Sequence, residues 1–172
     1  PLPFPPNPTA RRGTDFHNWL EHRFTSSALL EIDELPGSAD ESAPTDASIE
    51  DLRNAFLAGS WADRTPHRVE VPFETQVSGV VIKGRMDAVF ADEDGGWTVV
   101  DWKTGAVPDT ENVSALSVQL AAYRLAWADL SGTPVQRVRA VFHYVRHDET
   151  LRPVDLLDGD GLRELISDVP TA

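Results

Sequence analysis

The chain predicts an α/β fold: a mixed central sheet with helices on both faces and a β-hairpin that carries the chemistry. Three observations lead there. Periodic segments follow the order α, α, β, β, β, α, β, α, the pattern of helices layered on a sheet. The break "ADEDGG" between two strand-like runs is a hairpin signal. After the hairpin, Leu116, Leu120, Tyr123, Trp127 and Leu130 recur at steps of four and three, an amphipathic helix.

In chain order, "PLPFPPNPTARRG" opens with five prolines in its first eight residues. Residues 1–12 therefore read as a Pro-rich linker ahead of one domain, 13–172, that belongs to a longer polypeptide. Helix periodicity starts at Thr14, a plausible cap, and runs to about Ile32 through Phe16, Trp19, Leu20 and Phe24. A flexible loop is expected around 35–48, where Pro, Gly, Ser and acids collect without period. "SIEDLRNAFLAGS" is a second helix, capped by Ser48 and closed near Gly59. Strands are expected in "RVEVPFETQV", "GVVIKGRMDAVF" and "GWTVVDWK", and the strong helix that follows ends at Gly132. "VQRVRAVFHYV" is a further strand and "GLRELISDV" a closing helix.

The 172 residues suffice for one domain with a real core. With no cysteine, disulfides, thiolate zinc sites and iron–sulfur clusters are excluded. No apolar run reaches the length of a membrane span, so no membrane partner is expected and the compartment reads as cytoplasmic. The net charge of −13 argues against a free-standing, sequence-independent DNA binder. It is compatible with an acidic site that attracts Mg²⁺ or Mn²⁺.

The hairpin holds the chemistry. Alternation puts Asp101 and Lys103 on one face of their strand and Trp102 on the other. A turn centred on Asp94 sets Asp87 opposite Asp101, two carboxylates that repel unless a cation neutralises them. Lys103 is one of only two lysines beside thirteen arginines. It offers a compact point charge that can steer a water or stabilise a developing phosphate oxygen, which an arginine would do poorly. A surface ion pair between Asp101 and Lys103 is the bland alternative.

These residues resemble the PD-(D/E)xK nucleases, and more closely the RecB-family nuclease domain. The stretch "GRMDAVFADEDGGWTVVDWKTG" matches that family's glycine–apolar–Asp, hairpin, Asp–aromatic–Lys–Thr–Gly pattern, with Arg85 as one extra residue. Upstream, "GTDFHNWLE" supplies Gly13, His17 and Glu21; downstream, "QLAAY" supplies Gln119 and Tyr123. The Pro-rich lead-in resembles the junction before such domains at the C-terminus of actinobacterial UvrD-like helicase–nucleases.

The resemblance implies a restriction-endonuclease-like core and a Mg²⁺- or Mn²⁺-dependent deoxyribonuclease without an iron–sulfur cluster. It implies His17, Asp87 and Asp101 as metal ligands, the Trp102 carbonyl as a further ligand and Lys103 as the catalytic lysine beside Asp87 and Asp101. Gln119 and Tyr123, one helical turn apart, would orient the lysine or contact DNA. Arg85 would reach a phosphate or pair with an aspartate. Glu21 would support His17. Glu70 and Glu74 read as exposed strand acids, and His22, His67, His143 and His147 as structural. The implied activity is exonucleolytic, in DNA repair or recombination, on single-stranded ends delivered by a helicase motor in the same chain or complex. Three rivals remain: an inactive module for DNA guiding or subunit docking, a structure-specific endonuclease, and an unrelated metal hydrolase.

Overall fold

A computed structural model of the chain describes residues 8–29, 47–77, 80–108 and 113–152. Helix α1 spans Pro8–Leu29. It begins six residues before Thr14, because a proline in the first turn loses no hydrogen bond there. Thr14 is thus an interior position and not a cap, and residues 8–12 of the Pro-rich segment are helical. Helix α2 spans Ala47–Ala58. It takes in the last two residues of the expected loop, whose remainder lies outside the described residues. The closing helix expected in "GLRELISDV" also lies outside them.

Five strands follow in one sheet of order β1-β2-β3-β4-β5. They are β1 (Arg68–Val77), β2 (Val80–Ala91), β3 (Trp97–Lys103), β4 (Val138–Tyr144) and β5 (Glu149–Leu151). Helix α3 (Val113–Ser131) joins β3 to β4 and stops before Gly132, whose φ of +67° suits a C-terminal glycine. A helical crossover lets its two flanking strands run parallel, and among the described residues β3–β4 is the one parallel pair beside antiparallel neighbours. The sheet is therefore mixed, as expected. The strand expected from Val135 begins at Val138, after a 3₁₀ turn over Val135–Arg137. The three-residue β5 is too short to show alternation and was not anticipated.

Two cores fill the two faces. Phe16, Leu20 and Phe24 of α1 and Leu52 and Phe56 of α2 pack on Ala88, Phe90, Val100, Trp102 and Val141. Leu120, Tyr123, Ala126 and Trp127 of α3 pack on Val89, Val99, Val138, Ala140 and Phe142. Phe56 meets the Trp102 ring edge-on at 5.4 Å, so the tryptophan between Asp101 and Lys103 is an anchor. Its burial sends its two neighbours to the α3 side. His143 is buried as well and shares a 2.9 Å hydrogen bond with Thr150 Oγ1, a structural role.

The hairpin register is the expected one, but its ladder stops one pair short of the expected Asp87–Asp101 opposition. Ala88 faces Val100, Val89 faces Val99, Phe90 faces Thr98 and Ala91 faces Trp97, each pair symmetric about Asp94. Gly95, at φ +80°, supplies the turn's left-handed residue.

Candidate active site

The β2–β3 ladder ends at Ala88↔Val100, and beyond it the two strands part. From there β2 stays with β1 as far as Val80, while β3 stays with β4 as far as Lys103↔Tyr144. A backbone N–H exposed by such parting needs an acceptor. Asp87 provides it: its Oδ2 accepts the Trp102 N–H at 2.8 Å. The other oxygen, Oδ1, lies 3.5 Å from His17 Nδ1 on α1. One carboxylate thus bridges the fork and binds the first helix to it.

Strands β1 and β2 both reverse face at this point. Val69 packs against the α1/α2 core and Val71 in the α3 core, although alternation would send both the same way. Ala88 and Met86 divide likewise. Between them sit Glu70, at φ +50°, and Asp87. The β1–β2 ladder pairs Val69 with Ala88 and Val71 with Met86, which frames Glu70 against Asp87. A non-glycine residue held in the left-handed region costs about 1–2 kcal/mol, a strain that concentrates at functional sites.

This half-turn brings Glu70 inward. Ligand atoms of His17, Glu70 and Asp87 all lie within 4.8 Å of one another. Glu70 is therefore no exposed strand acid, whereas Glu74 is one, paired with Lys83 at 3.3 Å in the open. The reading of Glu70 as an exposed acid missed a signal in the sequence: pairing the two strand runs symmetrically about the "SG" dipeptide sets 70 opposite 87. Arg85 pairs with Glu70 at 3.4 Å and with neither aspartate, since the reversal at Asp87 breaks the parity they would share.

Asp101 is held from three sides. Lys103 Nζ lies 3.1 Å from its Oδ1, and Gln119 Nε2 and the Tyr123 hydroxyl donate to its Oδ2 at 3.0 and 2.9 Å. Gln119 also donates to the Tyr123 oxygen at 2.6 Å. The helix pair therefore clamps the carboxylate and reaches the lysine through it. Lys103 is further located over the Phe142 ring, 4.7 Å from its centre. Asp101 lies outside the tightest metal-capable cluster, beside it. Glu21 is exposed and makes no hydrogen bond to His17; it acts on the site through its charge on Glu70. A Cβ on Gly13 would stand 3.5 Å from Thr104 Oγ1, an ordinary contact, so α1 runs close past the end of β3 there.

Charge is crowded here. Burial, then the charge of Asp87, raises the Asp101 carboxyl above its ordinary value; Lys103 and the Tyr123 hydrogen bond pull against that rise. Burial and Asp87 raise Glu70 too. Burial pulls His17 down, but the hydrogen bond and charge of Asp87, with Asp101 and Glu70, outweigh it and leave the imidazole raised. Burial and the neighbouring Asp101 hold the Tyr123 phenol far up, so it stays a donor. Such a set of carboxylates and one imidazole lacks positive charge. Its oxygen and nitrogen donors suit a hard divalent cation, the oxygens Mg²⁺ and the imidazole Mn²⁺.

The profile of the PD-(D/E)XK nuclease superfamily matches residues 2–169. The chain belongs to that superfamily. Among solved structures, a presumed exonuclease from Eubacterium rectale superposes with a TM-score of 0.56 at 13% identity, over 91% of this chain and 62% of that one. The likeness is one of fold, and the chain spans about three-fifths of that protein's length. A second structure, SSO0001, gives a TM-score of 0.41 at 21% identity, over 92% of this chain and 68% of that one; the score is too low to carry an argument. No curated protein matches the chain. Asp101–Trp102–Lys103 has the acid–any–lysine spacing that the superfamily's name spells, and Asp87 follows Met86 where the name has a proline. No described helix is long and apolar enough to cross a membrane.

Proposed function

We propose that the chain is a divalent-metal-dependent DNA nuclease domain that hydrolyses phosphodiester bonds. The observation that carries this is one junction: His17, Glu70 and Asp87 gathered within 4.8 Å, beside a Lys103–Asp101 pair at 3.1 Å. His17, Asp87 and Glu70 would hold the ion, with Asp101 and the Trp102 carbonyl as further ligands. A bound Mg²⁺ or Mn²⁺ supplies Lewis-acid polarisation of the phosphate and a more acidic water.

The chain's own residues do the rest. Lys103 places a fixed positive charge where a water must be oriented and where negative charge grows on the phosphate. Asp101 keeps that ammonium in place, and Gln119 and Tyr123 keep Asp101 in place. Asp87 holds β2 to β3 across the fork, so that the two acidic strands keep one spacing. Arg85, exposed beside Glu70, can exchange its acid for a phosphate of the bound strand.

We read the mode as exonucleolytic, on strands presented by a helicase motor in repair or recombination. The name given to the E. rectale relative supports the first part. The charge of −13 supports the second, since a chain so acidic gains little from phosphate attraction and relies on delivery.

Calorimetric titration of Mn²⁺ into the wild type and Asp87→Asn tests the site. Saturable binding in the wild type, weakened at least tenfold in the variant, is expected. Absence of binding by the folded wild type into the millimolar range, with a DNA oligonucleotide present, refutes the catalytic reading and favours a docking module.

A further inference from the structure

We infer that a groove on the α3 side of Tyr123 seats one unpaired nucleobase of the strand being cut, beside the scissile phosphate. The inference rests on the nuclease reading above and narrows its substrate to single-stranded DNA.

The groove encloses about 300 Å³ between the outer part of β1–β2 and α3, the lower bound of ligand pockets. Phe73, Ile82 and Gly84 form one wall and Gln119, Ala122 and Tyr123 the other. Its aromatic wall is built in advance. A Cβ on Gly84 would stand 2.9 Å from two Phe73 ring carbons, so the ring lies directly on glycine backbone. Phe73 also meets the Tyr123 ring edge-on, at 5.5 Å and 83°. Fixed from both sides, Phe73 loses little freedom when something packs on it.

Position identifies the occupant. Tyr123 belongs to both places: its hydroxyl donates to Asp101, and the residue lines the groove. Gln119 is shared in the same way. A strand whose phosphate lies at Asp101 and Lys103 therefore has a base within one side chain's length of the groove. Lys83, also a lining residue, brings an ammonium whose exposed pair with Glu74 is weak and exchangeable for a phosphate. Base packing on aromatic faces is sequence-tolerant and independent of net charge, which suits a chain carrying −13. A base inside a duplex would first have to leave its partner and stack. The groove thereby favours unpaired strands.

A scan of single-stranded oligodeoxynucleotides, each with one abasic position, tests this on the unaltered protein with Mn²⁺. One position should stand out, raising KM about tenfold with kcat unchanged, and Phe73→Ala should abolish the difference between the intact and that abasic strand. A scan in which no position raises KM by more than twofold overturns the inference and leaves the nuclease reading standing. If the wild type cleaves no intact strand at all and binds no Mn²⁺, the nuclease reading fails and this inference fails with it.

Discussion

The two ends of the β2–β3 hairpin both carry clustered acids, and they treat them in opposite ways. At the turn, Asp92 accepts from the Thr98 hydroxyl at 2.7 Å and from Arg139 at 3.0 Å, with Arg64 at 3.3 Å. Arg139 also pairs with Asp94, and this bond, with that from the Gly96 N–H, holds the Asp94 carboxyl below its ordinary value. At the fork, Asp101 and Glu70 are raised, because burial and the charge of Asp87 exceed what Lys103 and Arg85 return. An acid cluster that arginines satisfy, at half-buried Asp92 and exposed Asp94, stabilises a turn. One that is buried and short of cations keeps a capacity for a further positive ion. Clustered acids alone would not separate the two ends; the sign of the carboxyl shift does.

The largest expected effect tests the fork directly. Lys103→Ala should lower the rate of DNA cleavage by about a hundredfold or more, while near-UV circular dichroism and melting temperature stay close to wild type. Activity within threefold of wild type would detach Lys103 from the chemistry. Next comes Tyr123→Phe, which keeps the ring and removes one hydroxyl. Supporting partners of this kind typically cost ~10–100-fold, so kcat should fall about tenfold with KM unchanged. The lost bond is one that lowers the Asp101 carboxyl. The acid limb of the pH–rate profile should therefore move to higher pH, and a purely structural role would leave that limb in place.

The turn end makes the reverse prediction. Asp92→Ala strips the buried Thr98 hydroxyl and two arginines of their shared acceptor. A cost of about 1–2 kcal/mol, or roughly 3–8 °C in Tm, is expected. Nuclease rate at 25 °C should not change. Loss of activity without loss of stability would show that the turn also takes part in the reaction, and the contrast between the ends would fail.

Much of this was legible in the sequence because it depends on local rules. "ADEDGG" sets the hairpin centre, strand alternation puts Asp101 and Lys103 together, and helical spacing puts Gln119 one turn from Tyr123. What escaped depends on where those rules break. Alternation assumes an uninterrupted strand, and β1 and β2 both reverse face at Glu70 and Asp87. Carrying parity through that point pairs Arg85 with an aspartate and leaves Glu70 in solvent, whereas Arg85 pairs with Glu70 and Glu70 gathers with Asp87. The helix of Gln119 was legible, but which group of the Asp101–Lys103 pair it touches is a matter of packing across the sheet. The strained step is thus where the metal-capable side chains gather and where periodicity is silent.

Glu70→Gln sharpens the comparison with the smallest effect. Its folded carboxyl is raised above its ordinary value, so ionisation at neutral pH works against the metal-free fold. The sign follows from linkage: the stability associated with the protonated group is present below the unfolded pKa and is lost as pH rises through the raised folded one. A neutral glutamine avoids that loss. In chelator-treated protein at pH 7, Glu70→Gln should raise Tm by about 1–2 °C, a figure kept small by solvent screening and by the weakened bond to Arg85. The gain should fade as pH falls through the raised Glu70 range, where the wild type protonates the same oxygen. Saturating Mn²⁺ should reverse the order, since an ion bound by the folded state stabilises whichever protein binds it more tightly. A variant less stable than wild type without metal at pH 7 would mean that Glu70 is held by Arg85 as Asp94 is held by Arg139. The fork would then be a second balanced cluster, and its claim to a cation would have to rest on His17 and Asp87 alone.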